Sequence, residues 1–152
     1  MIDIPITQQS NHINDMSEAA QQFDEDTRVR MANEVMDLFE QWQVNLDDQH
    51  SLLGLPDSIK KRHMYRFAED QPLPEDSEVM QRAEHLMGIA DALRTYFPNS
   101  RHARARFIRA HSKKFVRRTP LQIMVDDGVS GLIRIRSHLD CTYAWDLTGS
   151  RG

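Results

Sequence analysis

Val79, Ala83, Leu86, Ala90, Leu93 and Phe97 recur at spacings of four, three, four, three and four, and this pattern constrains the fold more than any other feature of the sequence. Such spacing puts six apolar side chains on one face of a long helix, which must bury that face against partners. Ser77 or Asp76 can cap its start and Pro98 ends it. Nowhere does the chain offer an alternating apolar and polar run bounded by turn residues and long enough for a strand. The expected fold class is all-α.

The remaining helices follow from the same reasoning. Val29, Ala32, Val35, Met36, Phe39 and Trp42 mark a first amphipathic helix from about Asp26. Asn45 can cap a second, Leu46 to Leu53, with Asp47 and Asp48 at its positive end and Gly54 at its exit. After Pro56 a third, basic helix is expected from Ser58 to about Phe67, with Lys60, Lys61, Arg62, His63 and Arg66. Helix, short turn and basic helix is the order of a helix-turn-helix. The segment Glu69 to Glu78, with two prolines and five acids, reads as a linker between two modules. Further on, a helix is expected from Arg101 to about Ala110 with Phe107 as its apolar anchor. Another begins at Thr119-Pro120-Leu121-Gln122, where a capping Thr precedes Pro at the first helical position and Gln three residues after the cap. It should stop at Gly128, and Leu132, Ile135 and Leu139 mark the last helix.

A chain of 152 residues allows one ordinary domain or two small modules sharing a core. The organisation expected is a flexible leader (1–25), poor in sustained apolar period, a helix-turn-helix module (26–70), a second helical module (71–146) and a short tail (147–152). No apolar run approaches the ~18 residues of a membrane span. The N-terminus lacks the basic start and apolar stretch of a secretory signal, and the single Cys141 has no internal disulfide partner, so a cytoplasmic location is expected.

The formal charge is −4, but unevenly spread: from Ser100 to Met124 there are eight Lys and Arg and no Asp or Glu. A stretch so basic can meet phosphate or an acidic protein surface, or simply solvate a helix face. Chemistry-bearing patterns are sparse. His138 and Cys141 have ligand-like spacing but no second pair, the glycines stand singly, and no nucleophile has a recognisable base beside it. The expectation is a protein without catalytic residues, metal or cofactor.

From about Glu34 to Trp145 the pieces resemble Xre/MbcA/ParS-type antitoxins. The first part of the resemblance is carried by Phe39-Glu40-Gln41-Trp42, Ser51 to Pro56, Arg62 to Phe67 and Pro72-Leu73-Pro74. Leu86 to Arg94, Phe107-Ile108-Arg109, Phe115, Arg118-Thr119-Pro120-Leu121, Met124, Gly128 and Leu139-Asp140 carry the second. Two departures stand out: Phe107 replaces a common Trp, and Arg117-Arg118 replace the usual Gly just before the Thr-Pro-Leu motif. His50 takes the place of a small residue, and the turn after Gly54 is longer than in a compact repressor.

The resemblance implies a Xre-like helix-turn-helix followed by a toxin-binding domain that shields a cognate toxin, commonly a RES-domain protein that consumes NAD. It also implies a homodimer, and autorepression of the operon through operator DNA. The residues expected at DNA are Lys60, Lys61, Arg62 and Arg66. Those expected at the toxin are Arg109, Phe115, Asp140, Tyr143 and Trp145, the last two beyond the final helix. The alternatives are an orphan helix-turn-helix regulator and a protein-only adaptor without a toxin.

Overall fold

A computed structural model describes residues 23–147. Among them the chain forms six α-helices and two 3-10 segments, with no strand. The helices are α1 (Glu25–Gln41), α2 (Leu46–Leu53), α3 (Ser77–Tyr96), α4 (Arg101–Arg109), α5 (Pro120–Asp127) and α6 (Val129–Leu147). The 3-10 segments are Lys61–Ala68, between α2 and α3, and Lys113–Phe115, between α4 and α5. The expected leader lies almost wholly outside the described residues; of its last three, Phe23 packs on the core and Asp24 caps α1.

Local chemistry sets most boundaries. Asn45 accepts the Asp48 N–H at 2.8 Å and starts α2. Gly54, with φ of 62°, closes it in the left-handed conformation that a side chain would disfavour. Thr119 and Gln122 form a reciprocal capping box: the hydroxyl accepts the Gln122 N–H at 3.1 Å and the Gln122 amide oxygen accepts the Thr119 N–H at 2.8 Å. Asp76, of the two capping candidates for α3, accepts from Glu78 and Val79.

The long helix α3 is the centre of the molecule. It packs against α1, α2 and α6, and Val79, Ala83, Leu86, Ile89 and Leu93 are all essentially inaccessible. Phe39, Trp42, Leu52 and Leu53 from the N-terminal half join Met124, Leu132 and Ile135 from the C-terminal half in the same buried cluster. The segment expected to separate two modules instead docks on α1. Leu73 is fully buried, its carbonyl accepts from the Arg28 guanidinium at 2.8 Å, and its N–H reaches the Arg28 carbonyl.

Three expectations are corrected. The basic helix does not begin at Ser58: Pro56 to Lys60 form turns, Lys60 offers no side-chain cap, and Lys61–Ala68 winds as a 3-10 helix with i to i+3 bonds such as His63 N–H to Lys60 carbonyl at 2.9 Å. In α4 the anchor is Ile108, fully buried, while Phe107 is half-buried. Finally, α6 does not stop near Leu139 but runs to Leu147, so Tyr143 and Trp145 belong to it; their side chains lie outside the described residues.

Candidate interaction surfaces

Two cationic surfaces emerge from the fold. The first is the 3-10 helix Lys61–Ala68. Met64 and Phe67 anchor it in the core, which leaves Lys60, Arg62 and Arg66 exposed. His50 of α2, itself buried, fixes the approach: its Nε2 donates to the Ile59 carbonyl at 2.8 Å, which requires the proton on that nitrogen. His50 therefore holds the turn between Pro56 and Lys60 from α2. Lys61 differs from its neighbours because its ammonium pairs with Asp47 at 3.0 Å. Tyr65, half exposed at 52%, stands among the cations with the Arg66 guanidinium 5.9 Å from its ring centre. Partial desolvation, then Arg66 and Arg62, lower the pKa of His63 on the same helix.

The second surface comes from the run between Ser100 and Met124, whose eight cations divide by task. Three turn inward. Arg104 donates to the Phe97 carbonyl at 2.6 Å, closing the end of α3. Arg109 donates to the Gln43 carbonyl at 2.7 Å and the Trp42 carbonyl at 3.4 Å, where α1 ends. Both satisfy carbonyls that a helix C-terminus leaves over. Arg118 grips Asp127 with two parallel hydrogen bonds of 3.0 and 3.1 Å, which hold the Asp127 carboxyl below the usual carboxylate range. Arg101, Arg106, Lys113, Lys114 and Arg117 remain exposed.

The backbone between Phe115 and Arg118 is unusual. Val116 and Arg117 have φ of 46° and 70°, so two consecutive residues other than glycine occupy the left-handed region. For a β-branched residue that is strained. Val116 is also 76% exposed.

Three of the expected toxin-binding residues have described side chains. Arg109 is engaged with the end of α1, and Phe115 is 5% exposed, packed edge-on to His138 with ring centres 5.1 Å apart and covered by the Arg134 guanidinium at 5.6 Å. Burial, with Lys114 nearby, lowers the pKa of His138. Asp140 is exposed on α6, beside a shallow groove with Arg136 and Tyr96.

No protein-family model matches the chain, and the search of curated proteins found no match. The family likeness therefore rests on the residues quoted for it.

Other features carry less. A groove of about 430 Å³ beside α1 and α3 brings Glu34, Asp37 and Asp91 together with Arg94 and Arg104, so its charges largely balance. Among the described residues no three His, Cys, Asp or Glu side chains gather closely enough to hold a metal ion, and no helix is long and apolar enough to cross a membrane. Sequence reading missed Tyr65 and Arg82. The Arg82 side chain, 14% exposed, pairs with Glu78 at 2.9 Å and donates to the Ser51 carbonyl, tying α3 to the end of α2. An aromatic within a cationic run was a visible signal for Tyr65; nothing local marks Arg82.

Proposed function

We propose that this protein is the antitoxin of a toxin-antitoxin pair, binding and neutralising a RES-type, NAD-consuming toxin encoded beside it. The observation that carries the reading is the Phe115 to Gly128 segment. It holds the Thr-Pro-Leu motif of the resemblance, capped by Thr119 and Gln122, and directly before it the chain turns through a left-handed backbone at Val116 and Arg117. Of the residues expected at the toxin, Phe115 is buried and shapes this surface from beneath, while Arg109 is exposed and also holds the end of α1. The reading keeps the protein a homodimer in the cytoplasm and gives it no catalytic role.

Co-expression tests this directly. Cells producing the neighbouring toxin should keep their NAD and grow when the full-length protein is present, and the two proteins should co-purify. Failure to rescue by folded protein, or a gene with no such neighbour, overturns the reading. Full-length variants suit the test because the buried cluster joins both halves of the chain, and a fragment starting at Asp76 would lose α1 and α2 from it.

The exposed cations of the 3-10 helix favour a second reading, an orphan DNA-binding regulator. Phosphate contacts make affinity fall with salt, by roughly one power of salt concentration per contact. Changing Lys60, Arg62 and Arg66 together to Ala should reduce the salt slope of promoter binding by about 2 to 3. Lys61→Ala alone should do little, because Asp47 already occupies that ammonium. Equal effects of Lys61 and Arg62 substitutions in a promoter-binding titration would show that the ion pair opens at DNA.

A further inference from the structure

We propose that the Lys113–Arg117 turn is the point at which this protein engages its partner, with Val116 entering an apolar pocket rimmed by carboxylates on the toxin. The inference rests on the antitoxin reading and adds to it the contact site and its chemistry.

Three observations converge on this turn. Among the described residues Val116 is the most exposed of the large hydrophobic side chains at 76%, and it stands at the tip of a turn, not on a helix face. Its backbone and that of Arg117 are held left-handed, at φ of 46° and 70°, against the preference of both residues. Strain of this kind persists where the surroundings impose it, and it collects at ligand clamps. Here the surroundings are identifiable: Phe115 is locked in the core on one side, and Arg118 is fastened to Asp127 on the other. The turn between them is thus presented as a rigid knob, and a rigid contact loses little ordering entropy on binding.

The third observation is charge. Lys113, Lys114, Arg117 and, from α6, Arg134 are all exposed, and of the two nearest carboxylates that follow in sequence, Asp126 and Asp127, Arg118 engages Asp127, which leaves the turn with more cations than anions. A surface so charged is complementary to carboxylates or phosphates. Val116 decides between them. A nucleic-acid backbone supplies negative charge but no pocket for an aliphatic tip, whereas a protein surface can supply both.

The test uses the full-length protein and the purified toxin encoded beside it. Val116→Asn is the informative variant, because asparagine tolerates the left-handed conformation while removing the apolar tip. It should melt at or above the wild-type temperature and yet bind the toxin about tenfold more weakly. Lys113→Glu, Lys114→Glu and Arg117→Glu together should weaken the complex about 100-fold at low salt, and less at high salt, where screening has already removed the attraction. Wild-type affinity in both variants, with wild-type helicity, overturns the contact site and leaves the antitoxin reading in place. Absence of any complex with the wild-type protein overturns both. If charge reversal abolishes binding to a non-specific DNA duplex but leaves the toxin complex unchanged, the occupant is nucleic acid and the proposal fails.

Discussion

Gly131→Ala should destabilise the protein by about 2 to 4 kcal/mol, the range of serious overpacking, although substitution tables for helices point the other way. In a helix interior alanine is favoured over glycine by about 1 kcal/mol. Here the packing outweighs it. A Cβ on Gly131 would lie 2.2 Å from the Ile123 carbonyl oxygen and 2.9 Å from its carbonyl carbon, both backbone atoms of α5 that cannot swing aside. The two helices would have to part. Ile123, Met124, Leu132 and Ile135, all fully buried between α5, α6 and the rest of the core, would lose contacts together. For a chain of this size the melting temperature should fall by roughly 4 to 16 °C, at 2 to 4 °C per kcal/mol. Ser137→Ala, at an exposed position of the same helix, reports the propensity effect alone and should change stability by less than about 0.5 kcal/mol. An unchanged or raised melting temperature for Gly131→Ala would show that α5 and α6 can separate without loss.

What could be read in the sequence was whatever local chemistry decides. Asn45, Gly54, Thr119 with Gln122, and Gly128 act on backbone groups within a few residues of themselves, and the helices they bound are where the sequence puts them. The all-helical fold follows from periodicities that no tertiary contact reverses. The third helix was misread because its start depends on how the Pro56 to Lys60 turn is held, and His50 holds it from another helix. Phe107 and Ile108 are neighbours about 100° apart on α4, and only the docking of that helix decides which enters the core. The extent of α6 was legible after all: no glycine or proline interrupts the chain between Gly131 and Gly149, so nothing tells the helix to stop at Leu139. The candidate site was less legible. A cation bound to carbonyls 66 residues away, as Arg109 is at Gln43, looks in sequence like a cation facing solvent. Strain at Val116 leaves no mark in the sequence.

Phe115→Ala separates the two roles that this residue could have. As an exposed contact it could be truncated without harm to the fold, and only partner binding would suffer. As the structure has it, 5% exposed and packed on His138 and beneath Arg134, its loss should cost about 3 to 5 kcal/mol, the range for a buried aromatic truncated to Ala. Melting temperature should drop by roughly 6 to 20 °C. Phe115→Leu, which keeps most of the volume, should cost under about 1.5 kcal/mol. The His138 imidazole gives an independent readout. In the wild-type protein burial, with Lys114 adding to it, holds its pKa below 6.5. Removing the ring that covers one side admits water, which favours the charged form, so its titration followed by NMR should move up toward the ordinary histidine value. Because Phe115 also anchors one side of the Lys113–Arg117 turn, neutralisation by Phe115→Ala should be weakened in cells grown cool and fail outright near the lowered melting temperature. A variant that melts like the wild type, keeps the His138 titration in place and still loses the partner at every temperature would put the Phe115 ring in the contact surface and overturn its place in the core.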